Sequence, residues 1–265
     1  MPVTSDVNEK TGESTTEGSA DALPVNELFE SLQGEGRLAG VPSVFVRTSG
    51  CNLRCWFCDS YHTSWEPTHA TMSVEEIVAE VESYDAEHVV LTGGEPLLHD
   101  ASVALLTELD ARGYHTTVET NGTIRRDAPI DLASVSPKLA SSTPTPDENA
   151  RPDGKPTDAD EWAERHAARR IDLDALAALV ERYDFQLKFV VGERDDAAEI
   201  TDLLERIRDA AAVEIRDTDV LLMPEGATRE RIAETRPLAA ELAQEYGFRY
   251  TPRLHVTLWN DAPET

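Results

Sequence analysis

Strand-like and helix-like segments alternate along this chain from residue 43 to residue 246, and that alternation constrains the fold more than any other feature. Ser43–Thr48 (SVFVRT) has the β-branched and aromatic character of a strand. Ser73 and Glu76 have the spacing of a capping box, and Val74, Ile77, Val78 and Val81 recur at the spacing of one buried helix face. His88–Leu91 reads as a short buried strand, a helix with Leu105, Leu106 and Leu109 follows, and Gly113 is placed to end it. Further strands are expected at Tyr114–Thr120, Leu132–Ser136, Phe185–Val191 and Val220–Met223, with helices over 172–183, 197–211 and 228–246 and a stop at Gly247. Repeated strand–helix units imply a parallel sheet under helices. About six units in one α/β domain point to a partial (βα)6 TIM-like barrel, with a flavodoxin-like open sheet as the alternative.

Residues 1–22 are polar and rich in Ser, Thr, Gly and Glu, so they bury too little apolar surface to offset ordering and are expected to be a disordered tail. That leaves 23–265 as a single domain, with 141–170 as a loop-rich insertion full of Pro, Asp and Thr. The formal charge is −27, from 51 acidic and 24 basic residues. Such an excess opposes binding to nucleic acid or anionic membranes and resembles the acidic surfaces of salt-loving cells, where salt screens the repulsion. No apolar run approaches the ~20 residues of a membrane span, and the N-terminus lacks an apolar signal core. A soluble, cytoplasmic protein is expected.

Cys51, Cys55 and Cys58 are the only cysteines, and all lie in one loop, GCNLRCWFCDS. A disulfide would strand the third. A zinc site would need a fourth ligand, for which His62 is the nearest candidate. Thiolates suit soft iron, and three of them can hold three irons of a four-iron cube while the fourth stays open to a ligand. The spacing favours the cluster, with zinc and buried structural thiols still open.

The unusual residues cluster at strand ends. The cysteine loop follows the first of the six strands and Gly93-Gly94-Glu95-Pro96 follows the second. Glu119-Thr120-Asn121-Gly122 ends the third, and Ser136-Pro137-Lys138 follows the fourth. In (βα) barrels the C-terminal strand ends form the active face. On the fifth, Phe185, Leu187, Phe189 and Val191 point towards the helices and Gln186 and Lys188 into the barrel, where a buried lysine needs a partner or ligand.

Cys51-x3-Cys55-x2-Cys58 followed by a GGEP strand end resembles the radical S-adenosylmethionine superfamily. Within it, ELFESLQGEGRLAGVPSVFVRTSGCNLRCWFCDS, VLTGGEPLL, VETNGT, SPK, FQLKFVV, LLMPEG and PRLHVTLW resemble the 7-carboxy-7-deazaguanine synthase family. The resemblance runs from about Val25 to Trp259.

That resemblance implies a 4Fe–4S cluster on Cys51, Cys55 and Cys58, whose open iron holds S-adenosylmethionine for reductive cleavage to a 5′-deoxyadenosyl radical. It assigns cofactor contacts to Phe57, Asp59, Gly94, Glu95, Ser136, Lys138 and Gln186. The implied substrate is 6-carboxy-5,6,7,8-tetrahydropterin. Arg47 would meet its carboxylate, and Gln33 and Glu35 its pterin edge, with Leu32, Gly34, Thr92 and His255 alongside. The implied product is 7-carboxy-7-deazaguanine, a precursor of the modified tRNA nucleosides queuosine and archaeosine. Mg²⁺ is implied at Ser60, where the family usually has Thr; serine keeps the oxygen and loses the methyl that restricts rotamers. The family role of a chain-terminal carboxylate is not carried onto the tail after Trp259. A one-electron donor of ferredoxin or flavodoxin type and a homodimer are further family-level expectations. Two other functions share the cysteine loop, a glycyl-radical-activating enzyme and an Fe–S or zinc electron-transfer module. The first usually has no LQGEG segment, and the second leaves GGEP, SPK and Lys188 unexplained.

Overall fold

The computed structural model describes residues 21–145, 159–260 and 262. In chain order its first elements are β1 (Ala22–Leu32), β2 (Pro42–Thr48), α1 (Tyr61–Ser64), β3 (Ala70–Ser73), α2 (Val74–Val81), β4 (His88–Gly93), α3 (Ala101–Ala111), β5 (His115–Thr120) and β6 (Leu132–Val135). They are followed by α4 (Ala159–Arg169), α5 (Leu173–Arg182), β7 (Phe185–Val191), α6 (Asp196–Ala210), β8 (Val220–Pro224), α7 (Arg229–Tyr246), β9 (Arg249–Tyr250) and α8 (Leu254–Trp259). One nine-stranded sheet runs in the order β3-β1-β2-β4-β5-β6-β7-β8-β9.

The six strands expected from the sequence are the parallel run β2-β4-β5-β6-β7-β8, the staves of a partial TIM-like barrel. Their helix-facing residues, among them Val46, Leu91, Val118, Val135, Leu187 and Phe189, join Ile77, Leu105, Leu106, Leu109 and Ile200 in one core. The capping box on α2 forms as expected: Ser73 Oγ accepts from Glu76 N, and Ser73 N donates to Glu76 Oε2. Gly113 and Gly247 both take positive φ, at 83° and 72°, where their helices stop.

Four features depart from the expectations. β1 pairs antiparallel with both β2 and β3 and lengthens the sheet before the first parallel strand. The expected tail falls almost wholly outside the described residues, but Ala22 already belongs to β1. Part of the 141–170 insertion is helical, because α4 occupies Ala159–Arg169; residues 146–158 lie outside the described set. The segment after Gly247, RYTPRLHVTLW, for which no element is expected, adds β9 beside β8 and then forms α8, whose Leu254 N donates to Gly34 O at 2.8 Å. β3, β9 and α8 are short, and β1 is held by pairing with both β2 and β3, so their burial comes from neighbours distant in sequence rather than from a strong internal period.

Candidate active site

A hollow of about 680 Å³ opens at the C-terminal strand ends. Cys51, Cys55 and Cys58 line it from the loop after β2, and Gly94 lines it from the turn after β4. Glu119 and Asn121 enter from the end of β5, and Ser136 and Lys138 from the loop after β6. The four motifs expected on one face of the barrel are thus brought to one cavity.

The cysteine loop follows β2 at Gly50, whose φ of 101° turns the chain out of the sheet. All three thiols are free, and burial pushes Cys51 up to about 12 and raises Cys55 and Cys58 as well. Leu53 N donates to Cys51 Sγ at 3.4 Å and Ser64 Oγ to Cys58 Sγ at 3.2 Å, bonds of the kind that tune iron–sulfur sulfurs. Among the described residues no group of three or more His, Cys, Asp and Glu side chains is gathered tightly enough for one metal ion. The thiols instead face a shared hollow. Three soft donors on one loop with open space between them fit an iron–sulfur cube.

GGEP works by close approach. A Cβ on Gly93 would lie 2.1 Å from Thr48 O, and one on Gly94 would lie 2.2 Å from Gly50 O and 2.9 Å from Cys51 Cβ. The two glycines let Gly94 N and Glu95 N reach Thr48 O at 3.0 Å and Gly50 O at 2.8 Å, which ties the β4 end to the cysteine loop. Glu95 does not line the hollow. Its carboxylate turns inward and accepts from Leu97 N, Thr120 Oγ1 and Asn121 N, at 3.1, 2.9 and 2.7 Å. It is fully buried and burial pushes its pKa up to about 7. In this structure it organises two strand ends.

A charged network crosses the floor of the hollow. Lys188 on β7 reaches Glu35 Oε2 at 2.6 Å and Glu119 Oε2 at 2.8 Å. Arg253 reaches Glu35 Oε1 at 3.1 Å and also pairs with Asp59 and donates to Gly226 O. Burial alone would raise Glu35, but Lys188 and Arg253 win and hold it at about 2; Asp59 is likewise held well below the usual carboxylate range by Arg253. Both stay ionised. His255 packs so close to Gly34 that a Cβ there would lie 1.9 Å from its Nδ1, and burial lowers its pKa.

At the opposite wall Arg47 and Glu27 are cross-strand partners on β2 and β1, with Arg47 Nε 2.7 Å from Glu27 Oε2. The β1–β2 register shifts between Val25 and Glu27, and this bulge turns the neighbours Asn26 and Glu27 both to the hollow. Arg47 Nη1 donates to Ser60 Oγ at 2.8 Å, and Ser60 donates to Asp59 Oδ1 at 3.2 Å. A Mg²⁺ ion would find oxygen donors here in Ser60 and Asp59, each already in contact with a guanidinium. His62, with Nε2 3.8 Å from Glu27, stands on the same wall.

The remaining candidates divide simply. Leu32, Gln33, Phe57 and Thr92 line the hollow with those already placed, and Lys138 Nζ donates to Ser136 Oγ at 2.7 Å. Gln186 does not reach it. Its amide donates to Ser134 Oγ at 2.8 Å and accepts from Arg37 N at 2.8 Å, below the floor. Sequence reasoning missed Glu27, Glu119, Asn121 and Arg253 as site residues. Glu119 and Asn121 stood inside a motif already singled out, and Arg253 two residues before His255; Glu27 left no signal beyond its place in an alternating segment.

A partial barrel with a three-cysteine loop after its first parallel strand defines a radical S-adenosylmethionine protein, and the family model described as the Radical SAM superfamily matches residues 45–239. A 7-carboxy-7-deazaguanine synthase of Halobacterium salinarum is 68% identical over 249 residues, 94% of this chain and 95% of that one. Another, of Rhodopirellula baltica, is 38% identical over 90% of this chain and 87% of its own length. The crystal structure of QueE from Escherichia coli superposes with a TM-score of 0.62 at 26% identity, covering 88% of this chain and 95% of that one. The chain belongs to the 7-carboxy-7-deazaguanine synthase family.

Proposed function

We propose that this chain converts 6-carboxy-5,6,7,8-tetrahydropterin to 7-carboxy-7-deazaguanine by hydrogen abstraction at C6, ring contraction and loss of ammonia, a step towards queuosine or archaeosine. One observation carries the reading: the three thiols and the Glu35–Arg47 polar set face a single hollow in a chain 68% identical to a synthase of that name. When bound on Cys51, Cys55 and Cys58, the 4Fe–4S cluster supplies the electron that cleaves S-adenosylmethionine.

The chain's own residues bind and orient. Arg47 offers a guanidinium fork to the substrate carboxylate. Glu35, kept ionised by Lys188 and Arg253, accepts hydrogen bonds from the pterin edge, and the Gln33 amide beside it both donates and accepts. Gly94, with no side chain, lets the cofactor's amino acid end come close to the turn after β4, with Phe57, Asp59, Ser136 and Lys138 around it. Glu95 and Gln186 support this wall and floor from behind. Ser60 serves Mg²⁺ as an oxygen ligand once Arg47 lets it go. The cover of α8 and the loop walls limits water at the reacting centre.

The single nine-stranded sheet supports residues 23–265 as one catalytic domain. The charge of −27 and the likeness to a Halobacterium salinarum chain support work in concentrated salt. Among the described residues no helix is long and apolar enough to cross a membrane. A cytoplasmic homodimer fed by a ferredoxin- or flavodoxin-type donor completes the reading, on the strength of the family resemblance.

The test is anaerobic reconstitution in high salt with iron, sulfide, Mg²⁺, reductant and S-adenosylmethionine, followed by the carboxytetrahydropterin. Mass spectrometry should find 7-carboxy-7-deazaguanine; its absence from a cluster-loaded protein refutes the substrate. An active Cys55→Ala variant refutes the cluster assignment.

A further inference from the structure

Helix α4 lies against the outer side of the cysteine loop. His166 is fully buried, with 0% exposure, and bonds in two directions. Arg54 N donates to its Nδ1 at 3.2 Å, so the ring proton sits on Nε2, which donates to Ser142 Oγ at 2.8 Å. Ser142 Oγ passes the chain on to Leu139 O at 2.6 Å. Trp56, between the second and third cysteines, is held by the same turn: its backbone N donates to Ser142 O at 3.2 Å and its indole to Ser141 O at 2.7 Å.

One turn before His166, Trp162 stacks against Arg54, whose guanidinium carbon is 4.2 Å from the ring centroid. Arg54 Nη1 also donates to Cys51 O and Leu53 O, each at 2.8 Å, which folds the cation back over its own loop. That places a positive charge within electrostatic reach of all three thiols. None of Arg54, Trp162 and His166 lines the hollow, so they act on the chemistry through the cysteine loop.

We propose that α4 is a clasp on the cysteine loop, in which Trp162 and His166 are positioning residues that hold the Arg54 cation and the loop backbone against the three thiols, and so set the reduction potential and the retention of the cluster. A fixed positive charge beside a cluster favours the added electron, and a loop held at its backbone keeps its thiols in place when the cluster is attacked. The proposal rests on the reading of the three cysteines as cluster ligands.

The experiment uses the full chain, reconstituted anaerobically, with two readouts: the potential from an electron paramagnetic resonance redox titration, and the decay of the cluster's visible absorption in air. Arg54→Gln and Trp162→Leu should give a more negative potential and a several-fold shorter lifetime in air. Trp162→Phe, which keeps an aromatic face, should recover most of both, and His166→Asn should keep more of the lifetime than His166→Ala. Trp162→Leu retains apolar volume at the site, and Arg54→Gln changes a loop residue rather than the helix, so one variant reports if another fails to fold. Wild-type potential and lifetime in folded Arg54→Gln and Trp162→Leu overturn the clasp, as does a Phe variant no better than Leu. A wild-type chain that takes up no iron overturns the cluster reading and the clasp together.

Discussion

The Lys188 ammonium stands 2.6 Å from a carboxylate oxygen of Glu35, a residue 153 positions earlier in the chain. Lys188 is 3% exposed and shares its charge with Glu119, while Arg253 takes the other oxygen of Glu35. A buried cation between two carboxylates is favourable only as a complete set. Removal of one member leaves an uncompensated buried charge, at a cost of about 3–5 kcal/mol.

Lys188→Met should therefore lower unfolding stability by about 3–5 kcal/mol and raise the KM for the pterin, because Glu35 loses its anchor. Adding Glu35→Gln should cost far less than the two single losses together, since the members act as a unit. Urea unfolding in high salt measures the first effect and steady-state kinetics the second. Additive losses would show that the pair is not coupled.

A second expectation concerns pH and a histidine far from the hollow. His88 is 4% exposed and lies between Ser43 Oγ at 2.6 Å and Thr117 Oγ1 at 2.8 Å. Burial, then the nearby His115 ring, pushes its pKa from 6.5 down to about 4. The folded state thus resists protonation, so its contribution is fully present above pH 6.5 and is lost as pH falls towards 4. Over that window wild type should lose about 3 kcal/mol that His88→Gln does not lose. Parallel stability profiles for the two proteins between pH 6.5 and 4 would exclude the effect.

The six parallel strands were readable because their β-branched or apolar runs recur between helices of clear period, as with Ser43–Thr48 and Val74–Val81; β5 and β6, joined without a helix, rest on their runs alone. β1 was not, because the bulge between Val25 and Glu27 breaks its alternation, with Leu23 and Val25 buried before it and Phe29 after it, and Asn26 and Glu27 find their role only at the hollow. The site was legible where a residue type is costly to bury, as with Lys188, or where thiols cluster. Glu27 and Arg253 carry ordinary charges, and only distant neighbours give them a purpose. Glu95 shows the reverse limit: the GGEP pattern located the turn, but three donors from Leu97, Thr120 and Asn121 determine where its carboxylate points.

Gly94→Ala tests the close approach of the β4 end to the cysteine loop. The added Cβ would meet backbone, Gly50 O at 2.2 Å, and not a side chain that can swing aside. The loop must move, and Cys51, whose Cβ would be 2.9 Å from the new methyl, moves with it. The variant should fold, because the strain falls on a loop, yet bind less than half the iron of wild type after reconstitution. Gly113→Ala serves as a control, since it meets nothing within 4 Å and strains only its own positive φ. Equal iron content in wild type and Gly94→Ala would remove the role assigned to this contact.

The Arg47–Ser60 bond leads to the last prediction. Arg47 Nη1 donates to Ser60 Oγ at 2.8 Å, so the hydroxyl proposed for Mg²⁺ lies beside a cation in the free protein. A divalent ion about 4 Å from a guanidinium is repelled by about 8 kcal/mol at an effective dielectric near 20, and under a fifth of that is already a tenfold change in affinity. Binding of the pterin carboxylate would add a second anion beside Arg47, which already pairs with Glu27, and draw the guanidinium from Ser60, so substrate and metal should strengthen each other reciprocally. Mn²⁺, followed by its paramagnetic resonance signal, should bind the substrate-free wild type weakly and Arg47→Met at least tenfold more tightly. Substrate should tighten Mn²⁺ binding to wild type and leave Arg47→Met nearly unchanged. Ser60→Ala should weaken the ion in both backgrounds, and Ser60→Thr, with its hydroxyl restricted in rotamer, should hold it more firmly than Ser60 does. Equal Mn²⁺ affinity in wild type and Arg47→Met would mean that this guanidinium does not govern the metal.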